Sequence, residues 1–273
     1  MSSRDVTPVD THTLPNTLFS PTELVQFERD GYVVVRGMGG ADICRRMLSA
    51  TMEGVERLVE PIEYEADLNY PGAPASRSAQ GGRTVRRLKQ AHGRGPAFTE
   101  WLTSPGILHR MGQLLGPTVY VPLAHHNCIM TKAPAFSSDT GWHQDVRYWS
   151  FAQRELVNVW LALGPERLEN GCLKVIPGTH RMTFQRSQFD DDLFFRDDLP
   201  ENAPFIAQQV VVELDAGDVL FFHSRTLHAA TRNRSERTKY SVVFTFRGPD
   251  SPPIPGSRSA ALPELLLPPC IAE

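Results

Sequence analysis

Apolar residues along the chain follow two periods, and the change comes near Thr118. Upstream they recur every three to four residues. Ser20-Pro21-Thr22-Glu23 offers a capping serine, a proline at the first helical position and a glutamate three residues after the cap, so a helix is expected there. Leu24, Val25 and Phe27 give it an apolar stripe, and Gly31 supplies the left-handed stop. Tyr32 to Val35 reads as a short buried strand. A second helix is predicted from Ala41 to Glu60, with Cys44, Met47, Leu48, Val55, Leu58 and Val59 on one face. A third opens at Ser104-Pro105 and carries Ile107, Leu108, Met111, Leu114 and Leu115 to Gly116.

Downstream the texture becomes short β-branched and aromatic runs: TVYVPL, HNCIMT, ELVNVWLAL, CLKVIPG, QQVVVEL, DVLFF and YSVVFTF. Asn170-Gly171 signals a two-residue hairpin, and Pro177-Gly178 and Ala216-Gly217-Asp218 signal further turns. Many short strands so spaced predict a mainly β fold with flanking helices, of jelly-roll type. Residues 71–82 have no period and many turn formers, which predicts a mobile loop. The basic stretch after it, with Arg83, Arg86, Arg87, Lys89 and Arg94, reads first as a solvated face and second as an anion-binding rim. Residues 186–204, acidic around Leu193, Phe194 and Phe195, interrupt the strands as an insertion or lid. The expected organisation is an N-terminal extension over 1–19, one domain over 20–248, and a proline-rich tail over 249–273 that wraps the surface.

Composition narrows the class. Lys and Arg number 28 against 31 Asp and Glu, a net charge of −3, which argues against generic nucleic-acid binding. No apolar run reaches the length of a membrane span. The first twenty residues lack a cationic segment followed by an apolar one, so a cytoplasmic protein is expected. Cys44, Cys128, Cys172 and Cys270 lack metal-knuckle spacing and read as single thiols. A small-molecule partner is expected, and the oligomeric state is left open.

The informative segment is Gly141-Trp142-His143-Gln144-Asp145. On an extended chain His143 and Asp145 project together while Gln144 points away. Two such ligands occupy adjacent positions on a metal, and His223 or His228 can supply a third. Two imidazoles and one carboxylate leave a face of an octahedron open, which suits non-haem Fe(II) better than zinc.

Three blocks place this segment in context: GWHQDVRYWSF, VNVWLALGPERLENGCLKVIPGTHR and AGDVLFFHSRTLHAATRNRSERTKYSVVFTF. With the N-terminal helix and DGYVVVRG, they resemble the phytanoyl-CoA dioxygenase-like family of Fe(II)/2-oxoglutarate-dependent oxygenases over roughly residues 20–250. The resemblance implies a double-stranded β-helix (a cupin-like jelly roll) and the cofactors Fe(II), 2-oxoglutarate and O₂. It implies iron ligands His143, Asp145 and His228, with Asn233 five residues on, and leaves His223 a structural role. Because Asp145 is present, hydroxylation or a related oxidation of an unactivated C–H bond, releasing succinate and CO₂, is expected over halogenation.

The family places an arginine eleven residues after the distal histidine, and a serine two further, against the far carboxylate of 2-oxoglutarate. Lys239 and Ser241 stand there. Lysine keeps the charge and loses the bidentate fork. Strand parity puts Lys239, Ser241, Val243 and Thr245 on one face and Tyr240, Val242, Phe244 and Phe246 on the other; Arg237 is the alternative anchor. His126 and Trp160, with Asn158 on the same side, are candidates for the cosubstrate wall, and Arg147, Tyr148 and Trp149 for the substrate mouth. Trp101 and Trp142 are assigned to packing. Two rivals stand: a cupin-like metal enzyme that uses no 2-oxoglutarate, and a silent binding module of the same fold.

Overall fold

The computed structural model describes residues 17–269. In chain order the helices are α1 (Pro21–Asp30), α2 (Ala41–Glu56), α3 (Pro96–Leu102), α4 (Pro105–Leu115) and α5 (Ala203–Ile206). The strands are β1 (Tyr32–Val35), β2 (Ile62–Tyr64), β3 (Val85–Lys89), β4 (Tyr120–Pro122), β5 (Asn127–Lys132), β6 (Thr140–His143) and β7 (Leu156–Ala162). After them come β8 (Leu173–Val175), β9 (Val210–Val211), β10 (Val219–His223), β11 (His228–Ala230), β12 (Lys239–Arg247) and β13 (Glu264–Leu266).

The larger sheet runs β1-β10-β7-β12-β5-β3-β2, with β4 beside β12 and β13 beside β4; the smaller runs β6-β11-β8-β9. Every pairing is antiparallel. This is the jelly-roll arrangement of a double-stranded β-helix. Strand parity decides where the core sits. On β12, Val242, Phe244 and Phe246 join the core beneath the helices, with Phe27, Met47, Phe98, Trp101, Ile107 and Met111, while Val243 faces the other way. On β7, Val157, Val159 and Leu161 follow the first group, and Trp160 and Ala162 join a second cluster containing Leu173, Val175 and Phe222. Both faces of β7 and β12 are therefore buried, the helices covering one and the smaller sheet lying toward the other.

Local signals explain the helix ends. In α1 the Ser20 hydroxyl accepts from the Glu23 amide while the Glu23 carboxylate accepts from the Ser20 amide, and Gly31 closes the helix at φ 77°. Gly31 has a second constraint, since a Cβ there would lie 2.4 Å from His180 Nδ1. Helix α2 ends at Glu56, short of Glu60. Pro61 disfavours helical backbone at the residue before it. Its buried positions are Cys44, Met47, Thr51 and Gly54, while Leu58 and Val59 are exposed. Trp101 and Trp142 are buried packing residues. Cys44, Cys128 and Cys172 are free thiols, and Cys270 lies outside the described residues.

Two further expectations change. Asn170-Gly171 does not make a hairpin: the chain forms a 3-10 turn over Leu168–Asn170 that carries it from β7 in one sheet to β8 in the other. The basic stretch is a solvated face only in part: Val85–Lys89 is β3, paired with β2 and β5, and Arg86 is 3 % exposed, while Arg83 and Lys89 are exposed. Residues 186–204 are tied down by an aromatic cluster of Phe184, Phe189, Phe195 and Phe205. The segment after Pro249 runs antiparallel to residues 150–152, with the Ala152 amide donating to the Pro252 carbonyl and the Ile254 amide to the Ser150 carbonyl, before contributing β13.

Candidate active site

His143 ends β6 and His228 begins β11, and the two are cross-strand partners in the smaller sheet. Asp145 follows in a 3-10 turn that begins where β6 stops, so the tripeptide's two side chains still converge. The ligand atoms of His143, Asp145 and His228 all lie within 4.8 Å of one another, and all three residues are buried. Each histidine Nε2 is 3.6 Å from Asp145 Oδ1. Their Nδ1 atoms are committed elsewhere: His143 donates to the Gly141 carbonyl (2.8 Å) and His228 to the Thr226 carbonyl (3.0 Å). A neutral ring with its proton on Nδ1 leaves the Nε2 lone pair facing the cluster.

Electrostatics keep the trio in that state. Burial pulls His143 down to about 3, with His228 adding to the effect, and burial lowers His228 as well. Burial alone would raise Asp145, but His126 and His228 outweigh it and hold the carboxyl well below its usual range. Two donors grip the carboxylate: His126 Nε2 to Oδ1 at 2.9 Å and Asn158 Nδ2 to Oδ2 at 2.7 Å. Although burial opposes it, Asp145 raises His126 to about 9, making it an imidazolium at neutral pH. Thr245 Oγ1 donates to Asn158 Oδ1 at 2.6 Å, which fixes the amide's orientation. Two free imidazole lone pairs beside an ionised, oriented carboxylate fit a divalent metal, and Fe(II) by donor type.

A cavity of about 60 Å³ adjoins the trio. Besides the three, His126, Trp160 and Lys239 line it, as expected, and so do Arg86, Arg87 and Lys132, which sequence reasoning did not place there. Arg237 is exposed and is not among the lining residues. His223, 6 % exposed, stands apart from the trio and bonds Glu155 at 3.0 Å. Arg147, Tyr148 and Trp149 do not line this cavity either. Arg147 donates to Tyr70 Oη (3.1 Å) and stacks over Phe194 at 4.0 Å, while the Tyr148 hydroxyl donates to the Asp192 carbonyl of the 186–204 segment. Trp149 stacks on His125 and borders a second cavity of about 260 Å³ that shares Arg87 and His126 with the first. Phe194 meets the His143 ring edge-on at 5.8 Å.

The expected cosubstrate anchor is already engaged. Glu166, fully buried, accepts from Lys239 Nζ (3.1 Å), Ser241 Oγ (2.5 Å) and Trp160 Nε1 (2.9 Å). Glu166 sits on an isolated bridge with Leu214, outside any strand, so parity gave no hint of it. Lys132 did carry a signal: counting by twos along β5 from His126 reaches Cys128, Met130 and Lys132. Burial, then the neighbouring Lys239 and Arg86, pull the Lys132 ammonium down to about 7.

The profile of the family described as Phytanoyl-CoA dioxygenase (PhyH) matches residues 27–241. The chain belongs to the phytanoyl-CoA dioxygenase family. A probable phytanoyl-CoA dioxygenase of Caenorhabditis elegans is 22 % identical over 250 residues, covering 88 % of this chain and 78 % of the relative. Among solved structures, the epimerase SnoN in complex with Fe³⁺, alpha ketoglutarate and nogalamycin RO superposes at TM-score 0.69, with 21 % identity and 89 % of each chain covered. EctD from S. alaskensis with 2-oxoglutarate and 5-hydroxyectoine gives TM-score 0.69 at 18 % identity, covering 84 % of this chain and 76 % of the other. At such identities the superpositions establish the fold. Family membership makes the chain a 2-oxoglutarate-dependent non-haem iron dioxygenase by class, with iron and 2-oxoglutarate as its cofactors. Among the described residues no helix is long and apolar enough to cross a membrane.

Proposed function

We propose that this family member oxidises an unactivated C–H bond of a polar small molecule, most simply by hydroxylation, and that His143, Asp145 and His228 hold its iron. The observation that carries the reading is the convergence of two Nε2 lone pairs and one oriented carboxylate beside a buried cavity. Iron with 2-oxoglutarate and O₂ supplies oxidative decarboxylation, with loss of CO₂ and succinate, coupled to oxidation of the substrate C–H bond.

The chain's own residues do the rest. His143 and His228 present neutral donors, and Asp145 supplies a negative charge close to the metal. Asn158 and His126 hold Asp145 from opposite oxygens. Phe222, 5.1 Å from the His228 ring, and Phe194 beside His143 keep bulk water away from the metal. The second cavity, with Arg87, Lys89, His125, Trp149 and Arg258 on its walls, suits a substrate that carries an anionic or hydrogen-bonding group beside an aromatic face. Arg147, engaged with Tyr70 and Phe194, positions the lid instead of meeting the reacting carbon.

The test is release of labelled CO₂ from 1-labelled 2-oxoglutarate with anaerobically loaded Fe(II), across a panel of polar small molecules, followed by product mass. Stimulated release with a product 16 mass units heavier supports hydroxylation. An unchanged mass or a loss of two units assigns epimerisation or ring closure instead. No 2-oxoglutarate turnover with any candidate, on a chain that still binds metal, favours the cupin-like rival.

A further inference from the structure

We infer that Lys132 is the cation that receives the far carboxylate of 2-oxoglutarate in this chain, and that Glu166 neutralises Lys239 as a built-in counterion. The inference rests on the proposed function, since it concerns the same cavity.

Each of the other cations on the cavity wall has a carboxylate in ion-pair range. Arg86 Nη1 is 3.1 Å from Glu65, Arg87 Nε is 3.4 Å from Glu63, His126 is 2.9 Å from Asp145, and Lys239 is 3.1 Å from Glu166. Lys132 lines the same cavity, is 8 % exposed, and has no carboxylate in ion-pair range among the described residues. It is also the cross-strand partner of Lys239, β5 against β12. Two lysines facing one another across a ladder repel, and burial makes that worse. One carboxylate, Glu166, offsets one of the two. Glu65 and Asp139 act on the Lys132 ammonium only from beyond ion-pair range, so it is a ready site for an anion that arrives with its other end on the metal. A dicarboxylate with a 2-oxo acid head has that chemistry. Trp160 and Ser241, which would otherwise donate to the ligand, are spent on Glu166.

The experiment is calorimetric binding to Mn(II)-loaded protein without oxygen, so no turnover is needed. 2-Oxoglutarate is compared with 2-oxopentanoate, which keeps the 2-oxo acid and lacks the far carboxylate. Lys132→Met should weaken 2-oxoglutarate by about 10- to 100-fold, the range of one lost charge-assisted contact, and leave 2-oxopentanoate within threefold. Lys132→Arg should restore most of the preference. Glu166→Gln should tighten 2-oxoglutarate, because it frees Lys239. Between pH 6 and 8.5 the wild-type dissociation constant should rise as Lys132 loses its proton, and the Lys132→Arg variant should be flat. Metal-free Lys132→Met should melt no lower than wild type, having lost an unpaired buried charge; Lys132→Gln is the companion variant if methionine does not fold. If Lys132→Met binds 2-oxoglutarate normally while Lys239→Met does not, the assignment is overturned and the proposed function stands. Should the wild type show no preference for 2-oxoglutarate over 2-oxopentanoate, the proposed function falls, and this inference with it.

Discussion

Replacing Asn158 with alanine tests whether the metal trio is held by its surroundings or assembles unaided. Asn158 is fully buried and touches no part of the proposed coordination sphere except through Asp145 Oδ2, at 2.7 Å. The bond is charge-assisted, since Asp145 is held ionised. Such a bond contributes about 1.5–3 kcal/mol, and outer partners of metal ligands typically change affinity by about 10- to 100-fold when removed. Two effects oppose each other. Losing a donor makes Asp145 more basic, which favours the metal, but it also frees the carboxylate to rotate away from the two imidazoles. Orientation should win, because only His126 then remains to fix Asp145, and it holds the other oxygen. Mn(II) affinity by chelator competition should therefore fall at least tenfold. Thr245→Val, which removes only the donor that orients the amide, should cost less, about threefold. The truncation also strands the Thr245 hydroxyl, lowering fold stability by about 1–3 kcal/mol, so circular dichroism must show folded protein at the assay temperature. A folded Asn158→Ala variant that binds Mn(II) within twofold of wild type would refute the argument, as would Thr245→Val proving the worse of the two.

Arg86→Ala should lower the melting midpoint by on the order of 10 °C, because Glu65, 1 % exposed, loses its buried partner, while the double change Arg86→Met with Glu65→Met should recover most of it in the same thermal scan. Burial sets His125 at about 3 and His180 at about 4, below the ordinary value, so both are neutral in the fold and bind protons more readily when unfolded. Stability should therefore fall as pH drops from about 6.5 toward 4, by at most about 1.4 kcal/mol per pH unit for each, and His180→Gln should flatten that slope in melts taken at half-unit steps. Phe194→Ala should leave Mn(II) affinity within twofold but raise the fraction of 2-oxoglutarate consumed without product. A proportional loss of both activities would mean the lid shields nothing.

Legibility followed strand geometry. Along β12 the two-residue period separated the faces as the structure does: Val242, Phe244 and Phe246 lie in the core beneath the helices, and Lys239, Ser241 and Thr245 face the other way, toward Glu166 and Asn158. Where extended chain gives way to a turn, the count still served for Asp145, because Gln144 before it is still extended at φ −105° and ψ 136°. It failed at chain reversals. Asn170-Gly171 has the composition of a hairpin, yet the 3-10 turn there takes the chain across to the opposite sheet, a long-range outcome that a dipeptide does not encode. The basic stretch misled for a related reason. A strand with Arg86 and Arg87 inward looks soluble until the carboxylates that bury them, Glu63 and Glu65, are seen on β2 and just after it.

The charge of the cavity is the sharpest case of this division. Counting by twos from His126, which lines the cavity, also puts Lys132 inside, so the sequence contained the second lysine; what it lacked was Glu166, which reaches Lys239 from a bridge beyond the end of β7. Without Glu166, two facing lysines would hold one dicarboxylate between them, and Lys239 would be the natural anchor. With Glu166, Trp160, Ser241 and Lys239 close into a satisfied buried cluster, and Lys132 is the cavity cation with no carboxylate in ion-pair range among the described residues. Assigning an anchor by its spacing from the distal histidine therefore identifies a position, whereas the residue that is free to bind an anion follows from counting carboxylates against cations around the cavity.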